Sequence, residues 1–269
     1  MNDGLLKRKV RRYFKLHKRN LPWRNTIDPY AIWVSEIMLQ QTQVARVIEK
    51  YTLFLTYFPN VESLARAKSK DVLQIWQGLG YNRRAKNLHK TAQYIVDKYG
   101  GEFPRSKNEL KKLPGIGEYT SAAICVFAYN MPEVLIETNI RSVYIHHYFQ
   151  KARIVNDKKL LPLLKRTLGK KNPREWYNAL MDYGAMLKSQ GENPSRKSSQ
   201  YKMQAKFKGS IREARGKILA FLLEQKKPVT KKKIISYTKE IQIEIVEKAL
   251  EGLIKDNFLI VMKKKISLS

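Results

Sequence analysis

The chain has 269 residues, 43% of them hydrophobic, and its 53 Lys+Arg against 23 Asp+Glu leave a formal net charge of +30. That apolar fraction is enough for a packed core, and a field of that sign points to a polyanion, nucleic acid above all. The single cysteine, Cys125, excludes an internal disulfide and any metal cluster held by thiolates alone.

In chain order, Leu5 to Arg19 reads as a basic amphipathic helix without the apolar core of a signal peptide. Apolar residues then recur at helical spacing in Tyr30–Leu39, Val44–Phe58, Val61–Arg66, Lys70–Gln77, Arg84–Tyr99 and Lys107–Lys112, with short turns such as Phe58-Pro59-Asn60 between them. Leu113-Pro114-Gly115-Ile116-Gly117-Glu118-Tyr119-Thr120 places two glycines in a tight turn before an apolar helix, Ser121 to Ala128, in which Cys125 reads as a small buried hydrophobe. Such a turn aims backbone N–H groups at a phosphate, or closes an ordinary pair of helices. Thr138–Gln150, Lys158–Leu168 and Arg174–Met186 continue the helical pattern, and no stretch alternates well enough to be a strand before residue 257.

The texture breaks at residues 188–210, which are polar, lack apolar periodicity and read as a linker. Helices are predicted at Ile211–Gln225, Lys231–Ile235 and Ile243–Lys255, then a hairpin of Phe258–Met262 and Ile266–Leu268 around Lys263-Lys264-Lys265. That order suggests a winged helix-turn-helix or a small helical dimerisation unit. Residues 188–269 carry 20 basic and 8 acidic side chains, so the charge is spread over both parts of the chain. No apolar run approaches the roughly 20 residues of a membrane span, and an intracellular location is expected.

Two carboxylates stand out. Glu36 lies among Trp33, Val34, Ile37, Met38 and Leu39; shielded from water it would keep its proton near neutrality and serve as a general acid, whereas on an amphipathic helix it would face solvent. Glu137 precedes Thr138-Asn139-Ile140-Arg141, where an acid either does chemistry or complements the dipole of a helix capped by Thr138.

Several colinear segments resemble the adenine mismatch glycosylase family called MutY, within the helix-hairpin-helix DNA glycosylases: Leu21-Pro22-Trp23-Arg24, Pro29-Tyr30, the run from Ser35 to Val44, Gly78-Leu79-Gly80-Tyr81 with Arg84-Ala85, the glycine hairpin, and Met181-Asp182-Tyr183-Gly184-Ala185-Met186. The resemblance covers roughly residues 5–187. It implies an all-α, two-lobed glycosylase domain over residues 1–205, with a six-helix lobe at about 26–130 and a second lobe from 1–25 plus 131–205, followed by a winged-helix-like module at 206–269. It also implies base flipping from double-stranded DNA holding a mispair or lesion, by a monomer with no membrane partner, in the nucleoid of the cell. Adenine opposite 8-oxoguanine or guanine would be released by Glu36 as acid and Glu137 as the carboxylate across the sugar, with Asn139 holding the helix start. Tyr119 stands where lyase-competent relatives carry lysine, so the enzyme is expected to stop at an abasic site. Gln40, Gln41 and Thr42 would fill the opened pair, Leu79 or Tyr81 would wedge the stack, and Arg24, Arg84, Pro114, Gly115, Gly117 and Thr120 complete the expected DNA contacts.

Three departures from the family follow. Its usual aspartate is Glu137 here. Its four iron–sulfur cysteines fall on Lys188, Ser195, Ser198 and Gln204, so no cluster and no other cofactor is expected, with a monovalent cation under the hairpin carbonyls left open, and Lys188, Arg196, Lys197 and Lys202 would reach DNA instead. Its Nudix-like C-terminal domain is not expected in residues 211–269, which are too few for it and read as a winged helix. A thymine or uracil mismatch glycosylase, and a DNA-binding protein with weakened catalysis, are the alternative readings.

Overall fold

The computed structural model describes residues 2–169 and 171–269. The helices, in chain order, are α1 (Asp3–His17), α2 (Pro29–Leu39), α3 (Val44–Tyr57), α4 (Val61–Arg66), α5 (Ser69–Trp76), α6 (Arg83–Tyr99), α7 (Lys107–Leu110), α8 (Glu118–Phe127), α9 (Thr138–Tyr148), α10 (Asp157–Thr167) and α11 (Pro173–Ser189). The C-terminal part follows as α12 (Ile211–Glu224), strand β1 (Val229–Thr230), α13 (Lys231–Tyr237), α14 (Ile243–Lys255), β2 (Leu259–Met262) and β3 (Lys265–Leu268). Most bounds lie within two or three residues of those read from periodicity. The hairpin helix begins at Glu118, three residues ahead of its expected start, because Gly117 is its N-cap. Strand β1 was missed, since two residues cannot show an alternation. Among the described residues, no helix is long and apolar enough to cross a membrane.

The chain divides into two compact units. One takes the residues up to Glu36, Phe103–Lys112 and Ile116–Met203; the other takes Ile37–Glu102, Leu113–Gly115 and Gln204–Ser269.

In the first unit, every residue of α2 from Tyr30 to Glu36 is buried, because apart from Ser35 and Glu36 the segment is apolar and has no solvent face to offer; the Ser35 hydroxyl donates to the Ile32 carbonyl at 2.7 Å. Asp28 caps this helix, accepting from the backbone N–H of Tyr30 at 3.1 Å and of Ala31 at 3.2 Å. Large side chains such as Trp33, Tyr144 and Tyr177 fill the core. Asp182, buried on α11, is held by Arg24 through two hydrogen bonds of 2.8 Å and by Arg19 through Nε at 2.5 Å. A buried carboxylate survives without water only with such partners. The expected linker is partly folded: α11 runs on to Ser189, Pro194–Lys197 forms a 3-10 turn, and Ser198 pairs with Val155.

In the second unit, Phe54, Leu64, Trp76, Leu88 and Ile95 form the core. Arg84 of α6 reaches the last carbonyls of α2, donating to those of Ile37 (2.7 Å), Met38 (2.9 Å) and Gln40 (2.6 Å). A helix C-terminus leaves its carbonyls unpaired and carries partial negative charge, so a guanidinium satisfies both needs. The C-terminal module has the element order of a winged helix, with an antiparallel sheet ordered β1-β3-β2 over a core that includes Ile218, Leu222, Ile234, Val246, Leu253 and Ile266. Leu73 of α5 packs against that core. Arg83 pairs with Asp256 at 2.5 Å, and the Lys86 ammonium donates to the carbonyls of Asp256 and Asn257, each at 2.7 Å. The module is therefore seated on α5 and α6, where an appendage was expected.

Candidate active site

Three elements of the first unit bring the expected chemistry together. Buried α2 carries Glu36, the first turn of α8 carries Tyr119, and the start of α9 carries Glu137. Glu36 is 6% exposed, so the shielded reading of this acid holds and the solvent-facing one does not. The Tyr119 hydroxyl is hydrogen-bonded to it. Burial pushes the Glu36 carboxyl up to about 7; the Tyr119 hydrogen bond opposes this, and the nearby charge of Glu137 adds to it. Burial beside two carboxylates also drives the Tyr119 phenol well above its ordinary range, so it stays a hydrogen-bond donor.

Glu137, and not Thr138, is the N-cap of α9. Its Oε1 accepts from the backbone N–H of Ile140 at 2.9 Å, and its Oε2 from the Asn139 side chain at 3.4 Å. Burial raises its carboxyl above the ordinary range, outweighing the N–H groups of Asn139 and Ile140 and the charges of Arg141 and Lys188, which pull it down. The surroundings of the two acids thus differ: Glu36 sits among apolar side chains with one phenol, whereas Glu137 sits at a helix N-terminus facing two cations. Two carboxylates in such unlike surroundings are the kind of pair that glycosidic cleavage uses.

Gly184 of α11 holds this turn in place. A Cβ there would lie 2.3 Å from the carbonyl oxygen of Asn139, so only glycine lets α11 and the start of α9 approach so closely. The Met181–Met186 motif is thereby accounted for, with Asp182 anchoring Arg24 and Gly184 seating the turn that carries Glu137.

The residues expected at DNA divide into two groups. Gln41 is exposed, with φ of 56°, and Gln40 and Thr42 are half-buried, the Thr42 hydroxyl accepting from Arg84 at 3.0 Å. Gly117 is exposed with open space where a Cβ would stand, so a backbone could approach there, and as N-cap it offers α8 no side-chain hydrogen bond. Other positions are engaged within the protein. The Arg24 guanidinium is committed to Asp182, and that of Arg84 to the end of α2 and to the carbonyls of Leu79 and Gly80, both at 3.1 Å. Leu79 is only 4% exposed, which leaves Tyr81, half-buried at φ 47°, as the wedge candidate of that loop. The Tyr81 hydroxyl accepts from Gln204 at 2.6 Å and from Arg212 at 2.8 Å. Thr120 is buried. Gly115, at φ 76°, makes its close approach to α6: a Cβ would come within 2.9 Å of that of Asn87, and the Pro114 carbonyl accepts from the Thr91 hydroxyl. The functions of Arg84, Asp182 and Lys188 were not separable in the sequence, since each depends on a partner distant along the chain.

The positions that match iron–sulfur ligands do not fit a cluster. Lys188 is an exposed ammonium, the Ser195 hydroxyl donates to Asn193 at 2.6 Å, and Ser198 accepts from the backbone of Gln200 at 3.1 Å. Backbone bonds hold the segment instead: the N–H of Val155 donates to Lys197 at 2.7 Å, and that of Ser199 to Val155 at 2.9 Å. Gln204 is bonded to Tyr81. Cys125 is buried within α8, and among the described residues no group of three or more His, Cys, Asp or Glu is placed to hold a metal ion.

Residues 34–180 match the family described as HhH-GPD superfamily base excision DNA repair protein, and the chain belongs to that superfamily. It is 39% identical over 179 residues to an adenine DNA glycosylase of Buchnera aphidicola subsp. Baizongia pistaciae, covering 65% of this chain and 50% of that protein. It is 37% identical over 139 residues to a thymine-DNA glycosylase of Aeropyrum pernix, covering 51% of this chain and 62% of that protein. A solved thermostable thymine-DNA glycosylase superposes with a TM-score of 0.63 at 27% identity, covering 68% of this chain and 86% of that one. The chain thus spans about half the length of the adenine glycosylase it matches.

Proposed function

We propose that this protein is a monofunctional DNA glycosylase that flips adenine out of a duplex in which it is mispaired with 8-oxoguanine or guanine, and releases it. The observation that carries this reading is the pair of unlike carboxylates in one site, Glu36 buried against Tyr119 with its carboxyl near 7 and Glu137 fixed by backbone N–H groups. Glu36 donates its proton to a ring nitrogen of the base, the N-glycosidic bond breaks with its electron pair leaving on the base, and Glu137 stabilises the positive charge that grows at the sugar carbon. Water then adds to that carbon and returns a proton to Glu36, leaving an abasic site. Tyr119 orients the acid and, lacking an amine, forms no Schiff base. The similarity to adenine glycosylases supports the choice of base.

A second reading, release of thymine opposite guanine, is favoured by the likeness to two thymine-DNA glycosylases. One experiment separates them. Duplexes holding a single A opposite 8-oxoguanine, A opposite G, or T opposite G are incubated with excess enzyme, and abasic sites are then cut with alkali. Cleavage of the A strand that disappears in Glu36→Gln supports adenine release. Cleavage confined to T opposite G establishes the second reading, and binding of all three without cleavage removes both.

A further inference from the structure

Two runs of three lysines, Lys231–Lys233 and Lys263–Lys265, are distant in sequence but share one end of the C-terminal sheet. The register does this: Thr230, the residue before α13, pairs with Lys265, which on its other side pairs with Met262. All six side chains are exposed. Lys231 is paired with Glu247 at 2.5 Å, and Lys233 reaches Gln225 at 3.3 Å and lies over the ring of Phe221. Among the described residues, Lys232, Lys263, Lys264 and Lys265 have no carboxylate partner.

The turn joining β2 and β3 gives a second, independent observation. Lys263 and Lys264 both adopt left-handed backbone, with φ of 46° and 62°. A two-residue hairpin of this kind is best served by Asn-Gly, and a side chain beyond Cβ is disfavoured at both positions. A turn chosen for folding alone would not carry lysine twice. The third helix has no such excess. The exposed surface of α14 balances Glu244 and Glu251 against Lys248 and Lys255, and the residue after it, Asp256, is taken up by Arg83 and Arg215. A winged helix that laid this helix in the major groove would set those carboxylates against phosphates.

We propose that the end of the sheet built from Lys231–Lys233 and Lys263–Lys265 is a clamp for the phosphate backbone of duplex DNA, and that the module binds DNA through it and not through α14. The clamp rests on DNA being the partner, and not on which base is released.

The test is the salt dependence of binding of the full chain to a fully paired duplex. Each lost phosphate contact lowers the slope of log K against log salt by about 0.9. Replacing Lys232, Lys263, Lys264 and Lys265 with Gln is expected to lower the slope by two or more and affinity at low salt at least tenfold, while Glu244→Gln with Glu251→Gln does not weaken binding. Lys263→Asn with Lys264→Gly is expected to raise the melting temperature and still weaken binding, separating the charge from the fold. An unchanged slope in the quadruple variant overturns the clamp. So does loss of affinity on Lys248→Gln and Ile243→Ala in α14 where the lysine variants have none. Base release by saturating enzyme is read in parallel on duplexes holding A opposite 8-oxoguanine, A opposite G or T opposite G: its absence from all three in wild type, with the slope difference intact, removes the glycosylase reading and leaves the clamp standing.

Discussion

The α-carbon of Gly184 faces the carbonyl of Asn139 so closely that a methyl group on it would stand 2.3 Å from the oxygen. The contacted atoms are backbone and cannot swing aside, so Gly184→Ala must push apart α11 and the turn that carries Glu137. Overpacking of this sort costs about 1–3 kcal/mol, and displacement of a reacting group by about an ångström costs on the order of a hundredfold in rate. A lower urea midpoint together with a slower single-turnover rate is expected. A variant with unchanged rate would mean that the turn does not position Glu137.

Glu36 makes both stability and activity depend on pH. Its folded-state value of about 7, raised from 4.5, means that the folded protein holds this proton more tightly than the unfolded chain. The stabilisation is full below about 4.5 and is lost as pH rises through about 7, reaching about 3 kcal/mol. Glu36→Gln lacks this loss, so its stability relative to wild type should climb between pH 5 and pH 8, as read from melting curves. Base release by wild type should fall with rising pH through about 7, since the acid must be protonated.

Glu137→Gln keeps the side-chain carbonyl that accepts from Ile140 and removes the charge together with the long hydrogen bond from the Asn139 side chain. Stability should change little, while the single-turnover rate falls by about 10²–10³, the scale of losing a group aimed at developing charge. Glu137→Ala should add a loss of about 1 kcal/mol, because the cap of α9 goes with it. Equal rates for Glu137→Gln and wild type would leave Glu137 a helix cap alone.

Asp182→Asn leaves the guanidinium of Arg24, whose side chain is 9% exposed, without its counter-charge. Breaking such a pair costs about 3–5 kcal/mol. The folded-state carboxyl of Asp182 lies below its ordinary value, chiefly because Arg24 and Arg19 outweigh the opposing effect of burial. Its contribution is therefore present above the unfolded value of 3.8 and is lost as pH falls below it. Urea unfolding at pH 7 should show the full loss in Asp182→Asn, and the gap from wild type should shrink toward acid pH.

Local order was legible in the chain because it depends on near neighbours. Apolar spacing placed the helices, Phe258–Met262 and Ile266–Leu268 read as a hairpin, and the apolar run around Glu36 left that acid either shielded or facing solvent until its burial settled the choice. Strand β1 escaped, since Val229–Thr230 exists only through its pairing with β3. The helical class, the positive field and the kinds of side chain available for chemistry were readable along the chain, because they follow from composition and short-range periodicity. Folding in three dimensions gave Arg24 its partner Asp182 and Arg84 the end of α2, made Glu137 the cap of α9 beside Gly184, and brought two lysine runs to one end of a sheet. Each of those outcomes depends on which distant residue fills a given space, and that is set by packing and hydrogen-bond satisfaction across the core, not by spacing along the chain.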